Sequence, residues 1–475
     1  MNENGYRRGW ALFTAAVGYA IALAALFPVQ IAFPVIAEAF GVSISNVSWA
    51  ATAFLLSLTI LAMLAGRIGD LYGHKRVFVI GLAVTTAAGL LCGLAPSWPA
   101  LIALRFVQGI GAALVSGNAM AIAANAVPAS QRGKAIGLLT TATSGGIVLT
   151  SLLVGRLISV AGWPAVFLVV VPFGVTALIT SLWMGPGRRP ERPPTLDLLG
   201  AVLLTLTLTS LVLSFSHFHD GPETFEAGWP YHGTMHFLTV FSLALFLFWE
   251  RRVDAPLIDL RTFTVAPFSL SVLANMCFHM TMMSTSFMFP YLVERGFRLT
   301  AVETANIAVF NNIAATGAAL GAGILMDSLR SRALQVFALG LTFMSLLAMA
   351  VLPDLSYIAI IGAGLFLGMA GGAFQTANNA FVLSSLPPDK RGFASGTIDL
   401  TRQYGHTLGI TITTLVVAGS IETAPTFTPV FQQAMFVTAA LALIGCVLAF
   451  VATRERVQRS RAESTQAVER DAIPA

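Results

Sequence analysis

VPASQRGKAIG at residues 127–137 and LPPDKRGFASG at 386–396 are two versions of one phrase. Arg132 falls on Arg391 and Gly133 on Gly392, an offset of 391 − 132 = 259 positions. Gly66 and Asp70 fall in the same way on Gly323 and Asp327, an offset of 327 − 70 = 257. A near-constant offset over such a distance predicts two halves of common descent and common orientation. Where such halves lie in a membrane, a parallel repeat puts a substrate site at their interface, near the bilayer midplane.

The composition puts them in a membrane. The chain has 475 residues, 56% hydrophobic and only 10% charged, whereas a soluble domain carries about 25% charged residues. Mean hydropathy is +0.79. The net charge of +5 and pI near 9.4 do not point to nucleic acid, because the basic residues fall in short clusters between apolar runs. Cys92, Cys277 and Cys446 lie in apolar stretches without ligand spacing and read as buried small hydrophobes, not as disulfides or a metal site. The first apolar run, 10–36, is too long for a signal-peptide core and reads as a retained helix.

Taking about 20 apolar residues per crossing, fourteen segments are expected. They lie near 10–36, 47–68, 77–95, 98–126, 134–160 and 163–184, then 197–216 and 232–250, then 268–292, 301–326, 333–352, 355–386, 392–418 and 430–452. Every second loop is basic: Lys75 and Arg76, Arg132 and Lys134, Arg188, Arg189 and Arg192, Arg251 and Arg252, Arg330 and Arg332, Lys390 and Arg391. The loop at 293–300, with Arg295 and Arg298, breaks the pattern. The positive-inside rule then places both termini in the cytoplasm. The expected organisation is an N-terminal six-helix bundle over 1–190, two inserted helices with linkers over 191–262, a C-terminal six-helix bundle over 263–453, and a polar cytoplasmic tail over 454–475.

GRIGDLYGHKRVF, 66–78, reads as the loop after the second segment. Gly66, Gly69 and Gly73 permit close approach or unusual dihedrals. Asp70 and Arg76 put opposite charges at the basic rim, where an acid can pair with a base or sit at a helix N-terminus. The blander reading is an ordinary basic turn. In LRFVQGIGAALVSG, 104–117, Arg105 stands about a turn inside a helix, with Gln108 at i+3. A guanidinium there must pair, line water or snorkel to the surface.

The stretch 66–78 resembles the signature loop of the major facilitator superfamily, and Arg105, Gln108, Gly109 and Gly111 resemble its RxxQGxG pattern. PLIDLRTF at 256–263 and RQYGHTLG at 402–409 are similar to the fourteen-helix drug:proton antiporter branch. The likeness covers nearly the whole chain. It implies two six-helix bundles plus two central helices, rocking around a central cavity. It implies that the loop acids, Asp70 and its counterpart Asp327, stabilise one gating state, and that Arg105 assists proton coupling. Two stretches depart from the branch. Where it carries a first-helix acid, in a pattern like LDxTIVNVALP, AALFPVQIAFP at 24–34 has Ala25. Of its fifth-helix GPxxGG pattern, TSLLVG at 150–155 keeps only Gly155.

These departures draw attention to GTIDLTRQYGH, 396–406. Asp399 lies 8 residues past Arg391, roughly 12 Å along a helix. A buried carboxyl there can hold a proton, while Arg402 at i+3 would keep it ionised. Either the pair separates in one conformation, or it is a fixed ion pair that only positions the helix. His279 titrates near neutrality when exposed, or else packs between helices. Gln30, Gln108, Asn275, Asn311, Asn312 and Gln403 are the candidate cavity residues, though the same amides can glue helices together. The Met- and Phe-rich run FHMTMMSTSFMF, 278–289, suits varied apolar ligands or plain packing. His217, His219, His232 and His236 have no tight zinc spacing. No phosphate-cradling loop or catalytic triad is present, so an enzyme or ATP-driven pump has no support.

The expected function is export of amphipathic organic compounds by alternating access, without a cofactor, driven by the proton gradient that the resemblance implies. Proton coupling would rest on Asp399, Arg402, Arg105 and His279. The expected setting is the cytoplasmic membrane and the expected form a monomer; the partners are small-molecule substrate, protons and lipid. Two alternatives stay open: a specific metabolite or anionic-solute transporter, even a uniporter, and a non-transporting receptor or scaffold.

Overall fold

The computed structural model describes residues 3–128, 131–185, 197–215, 226–254, 256–328, 331–351, 356–387, 390–417 and 426–471. These residues are helical, with no strand among them. In lipid the backbone must satisfy its own polar groups, which the helix does within one segment. The first half holds α1 (Glu3–Ala24), α2 (Phe27–Ile31), α3 (Phe33–Phe40), α4 (Ile44–Val47), α5 (Trp49–Tyr72), α6 (His74–Cys92), α7 (Trp98–Ala126), α8 (Arg132–Ala161), α9 (Ala165–Leu168) and α10 (Val171–Ser181). An inserted hairpin follows, α11 (Leu198–Ser214) and α12 (Trp229–Glu250). The second half holds α13 (Ala266–Tyr291), α14 (Ala301–Ser328), α15 (Ser331–Val351), α16 (Tyr357–Leu383), α17 (Arg391–Val417) and α18 (Thr428–Asp471).

Each expected apolar segment falls on a described helix. Among the described residues nine helices are long and apolar enough to cross a membrane, or ten with the bent α5. The spans 165–181 and 198–214 are apolar but shorter. Helices α13 and α17 have 26 and 27 residues but carry the polar residues discussed below.

Two local differences from the expected pattern have simple causes. The first segment is broken, because Pro28 and Pro34 sit in the first turns of α2 and α3. Proline lacks the N–H and clashes with the preceding turn, so a continuous helix cannot pass through. The stretch 66–78 is less a loop than two helices joined at one residue. Helix α5 runs to Tyr72, α6 starts at His74, and Gly73 turns the chain at φ 95°, a value that glycine tolerates.

Packing follows the repeat. In the first half α5 and α6 pack on α7, α1 on α8 and α10; in the second α14 and α15 pack on α16, α13 on α17 and α18. Glycines carry the same symmetry to atomic detail. A Cβ on Gly109 would stand 2.3 Å from the Phe54 carbonyl oxygen, and one on Gly368 would stand 2.2 Å from that of Asn311. These pairs are offset by 368 − 109 = 259 and 311 − 54 = 257, the spacings of the sequence repeat. Gly146 lies against Ala20 as Gly405 lies against His279, again 259 positions apart.

Between the halves, α5 packs on α17 and α14 on α8, a second symmetric pair. Direct contacts gather from mid-bundle toward the end remote from the basic loops. There Phe33 meets Phe287 at 5.6 Å, and a Cβ on Gly155 would stand 2.5 Å from that of Ala305. The largest apolar cluster includes Phe33, Phe287, Leu292, Ala305 and Phe431, so it spans both halves. Nearer the basic loops, the hairpin leans on the seam: Ala201, Phe246, Leu257 and Ile258 cluster with Leu400 of α17, against which Leu64 of α5 packs.

Candidate functional site

Arg105 is completely buried, so it does not snorkel. Its hydrogen-bond acceptors are three carbonyl oxygens. Nε–H donates to Ala50 O at 2.5 Å, and Nη1–H to Gln108 Oε1 at 2.5 Å and Ala25 O at 3.3 Å. Phe54 and Phe167 rings lie 4.4 and 5.6 Å from its Cζ, positions that favour a cation over the ring faces. Ala25 O is within reach because α1 ends at Ala24, just before the proline-marked break. Nη2 and Gln108 Nε2 are buried without a partner. Arg105 therefore ties α7 to the first-segment break and to α5, and Gln108 serves it directly.

The second polar centre lies on α13 and α17. Asp399 Oδ1 and Arg402 Nη2 are 3.4 Å apart, with side chains 36% and 26% exposed, so the pair is neither dry nor free. One turn further on, His406 Nε2 meets His279 Nδ1 of α13 at 3.0 Å, both rings buried. The Phe27 ring of the first half stands edge-on to His406 at 6.1 Å. Tyr19 of α1 lies close enough to interact electrostatically with Asp399 and Arg402. Gln30 Nε2–H donates to Met283 Sδ at 2.8 Å across the same seam. Buried polar atoms without a partner concentrate here: Arg402 Nε, Gln403 Oε1, Tyr404 Oη and His406 Nδ1. Leaving such an atom unpaired costs about 1–3 kcal/mol; Arg402 and His406, four residues apart, share one face of the helix, whereas Tyr404 turns toward the inserted hairpin.

The other candidate amides have structural partners. Asn275 Nδ2–H donates to Ile398 O and Thr401 Oγ1 at 3.0 Å, and its Oδ1 accepts from Asn378. Asn311 donates to Gly364 O at 2.9 Å, tying α14 to α16, and Asn312 donates to Ala308 O in its own helix.

At the basic end Asp70 pairs with His74 at 3.1 Å, and His74 Nδ1 meets Asn118 Oδ1 at 2.8 Å. Asn118 Nδ2–H also donates to Ala65 O at 2.9 Å. Gly69 is required, since a Cβ there would meet Asn118 Oδ1 at 1.7 Å. Gly66 lies near Gly117 O, and Arg76 is exposed. The motif is thus pinned to α7 through His74 and Asn118, a bridge that is hidden in sequence because Gly73 separates the partners. The side chains of Asp327, Arg132 and Arg391 lie outside the described residues, as do His217 and His219. His232 and His236 donate to carbonyls of Ser214 and His232 within the hairpin, and no cluster of metal-ligating groups occurs among the described residues.

Residues 13–410 and 272–474 match the Major Facilitator Superfamily, which together is nearly the whole chain. The chain belongs to the major facilitator superfamily. As a member, it is a multi-pass membrane transporter, not an enzyme. It is 26% identical over 393 residues to the riboflavin transporter RibZ of Clostridioides difficile, covering 80% of this chain and 82% of that one. It is 29% identical over 400 residues to the multidrug resistance protein Stp of Mycobacterium tuberculosis, covering 82% and 72%. In structure it matches a bacterial homologue of the human lysosomal transporter Spinster with a TM-score of 0.68 and 16% identity, over 95% of this chain and 98% of that one; this likeness concerns the fold. For a facilitator, Ala25 now has a geometric meaning. Its side chain offers no acid, yet its backbone oxygen accepts from Arg105.

Proposed function

We propose that this facilitator exports amphipathic organic compounds by alternating access, in exchange for protons. The observation that carries the reading is the polar face of α17 on which the Asp399–Arg402 pair and the His279–His406 pair follow one another at helical spacing, with Arg402 Nε and His406 Nδ1 buried and unpartnered. Both pairs approach first-half residues that must move if the halves rock. His406 Nδ1 is buried without a partner, and it can accept a proton in the tautomer whose Nε2–H donates to His279 Nδ1. Release of Asp399 from Arg402 would let the carboxyl take one, and the partial exposure of both gives water a route. Arg105 would respond through the first-segment break, and Asp70 would hold the gating loop against α7. Gln30, Gln403, Phe27 and Met283 offer a mixed amide, aromatic and thioether lining, which suits adaptable binding of apolar bodies with polar handles. Relatives named for multidrug resistance, riboflavin transport and cephamycin export support an organic substrate. The setting is the cytoplasmic membrane with both termini inside, following the basic loops.

A second reading, a solute-specific transporter without proton coupling, is favoured by Ala25 at the usual acid position. The test is export in inverted vesicles across about pH 6 to 8, with and without an uncoupler. Asp399→Asn is expected to abolish the response to the pH gradient while leaving substrate binding. Gradient-driven export that survives this substitution unchanged sinks the role of Asp399. Wild-type export indifferent to the uncoupler favours the second reading.

A further inference from the structure

The hairpin α11–α12 carries two buried acids that the transport reading does not use. Asp197, at the N-terminus of α11, is 6% exposed, and Glu250, at the end of α12, is 4% exposed. Three of their four carboxyl oxygens are satisfied. Asp197 Oδ1 accepts from Gly200 N–H at 2.9 Å and Trp249 Nε1–H at 2.7 Å. Glu250 Oε1 accepts from Leu257 N–H at 3.2 Å and Oε2 from Ile258 N–H at 3.1 Å. The fourth, Asp197 Oδ2, is buried without a partner. It points at the other acid: a point one bond from the Gly200 Cα lies 2.2 Å from Asp197 Oδ2 and 2.8 Å from Glu250 Oε1. The two oxygens are at most the sum of those distances apart. Two buried carboxylates this close do not both stay ionised. The surrounding groups are N–H donors, which disfavours a metal cation and leaves a proton as the ligand that satisfies the fourth oxygen.

We propose that Asp197 and Glu250 share one proton, and that this proton latches the inserted hairpin to the linker leading to α13, which packs against α17. The proton lies between Asp197 Oδ2 and Glu250 Oε1; on release it passes to water at the basic end, and no other bond changes. The latch has a mechanical continuation. Glu250 holds the amides of Leu257 and Ile258, whose side chains pack against Leu400 of α17. The next residue, Asp259, binds Lys390 at 2.8 Å, directly before the start of α17. Losing the proton sets two negative charges against each other, loosens Glu250 from the linker, and frees the α17 end of the seam. The other ionisable groups around the pair are few. Arg251 and Arg252 follow Glu250, with Arg252 over the Phe248 ring at 4.0 Å. Asp254, Asp259 and Arg261 lie on the linker, and Lys390 is held by Asp259. Tyr404 faces the cluster from α17, and Arg67 lies one turn beyond Leu64 on α5. The latch does not depend on the export reading.

The test uses the full chain in lipid nanodiscs. Asp197→Asn imitates the protonated acid, because its Oδ1 still accepts and its Nδ2–H can donate to Glu250. With Glu294, the other raised carboxyl, replaced by Gln throughout, infrared difference spectra between about pH 6 and pH 9 are expected to show loss of a protonated-carboxyl band when Asp197 and Glu250 are both present, and no such change on adding Asp197→Asn or Glu250→Gln. Hydrogen exchange at Leu257 and Ile258 is expected to accelerate with pH at least tenfold beyond its intrinsic rise in the wild type, and only intrinsically in Asp197→Asn. A band that persists in both variants overturns the proposal, as does linker exchange with the same pH dependence in wild type and Asp197→Asn. So does a band that follows sodium concentration at fixed pH, which would assign the site to a metal ion.

Discussion

Gly155→Ala should shift the balance between the two access states. Gly155 sits where α8 meets α14, and the three atoms nearest its would-be Cβ are on α14: Ala305 Cβ at 2.5 Å, Ala301 O at 3.2 Å and Val302 Cα at 3.5 Å. Carbon atoms prefer about 3.5–4.0 Å, so the halves must part by roughly 1 Å to admit a methyl group. Nothing inside the first half is disturbed, and the cost therefore falls on the contact between halves. Overpacking of this kind costs about 1–3 kcal/mol, which corresponds to roughly a 5- to 150-fold change in the ratio of closed to open. Met283, 1% exposed and held by Gln30 across the seam, is the reporter. Met283→Cys, with the three native cysteines replaced, would be labelled by a membrane-impermeant maleimide from outside the cell. The labelling rate should rise by a factor in that range on adding Gly155→Ala. Gly321→Ala, with no atom within 4 Å of its Cβ position, is the control. Equal labelling of the two variants refutes the reasoning. A fall in melting temperature without faster labelling does so too, since the strain would then lie within a half.

Two further outcomes are expected. Gly109→Ala and Gly368→Ala should lower the melting temperature by similar amounts, each forcing a methyl against a backbone oxygen, whereas Gly317→Ala meets nothing within 4 Å and gains up to about 1 kcal/mol of helix propensity; a mild effect at one of the two repeat-related sites and a severe one at the other would break the symmetry argument. Glu294, in the turn Leu292–Gly296 beyond the end of α13, has its carboxyl pushed up to about 8 by burial, with Arg295 opposing. The unfolded chain gives up that proton near pH ~4.3, so the folded state binds more protons between the two values and stability falls as pH rises through that window. The melting temperature of the wild type relative to Glu294→Gln should therefore drop from about pH 4.5 to about 8 and level off above; a difference that widens toward acid would show the sign to be wrong.

The architecture was legible because its causes are local and periodic. Apolar length, alternating basic loops and a two-fold phrase are all written along the chain, and helices in lipid leave few alternatives. Arg105 was legible as costly, but not how it is held, since Ala50 and Ala25 contribute backbone oxygens that any residue would offer. Asn275 and Asn311 read as cavity candidates, whereas they donate to carbonyls of neighbouring helices; an amide gives the same signal in either role. Tyr19 and Phe27 sit beside the polar row on α17 without any signal of their own, because only the packing of the halves brings them there. The Asp197–Glu250 pair joins residues more than fifty positions apart at two helix ends, where an acid beside a basic loop looks ordinary.

The repeat also shows where function entered a symmetric scaffold. The helix crossings at Gly109 and Gly368 and at Gly146 and Gly405 are nearly superposable in sequence spacing, so the two halves share a packing code. The polar centres do not share it. At the same offset, Arg105 corresponds to Gly364 and Gln108 to Leu367, while Asp399, Arg402 and His406 correspond to Thr140, Thr143 and Ile147. The first half holds a buried cation fixed by carbonyls; the second holds a partly exposed acid–base pair and a buried histidine pair. The close glycine contacts tie the helices within each half, so what differs between the halves is the polar chemistry carried on a shared packing.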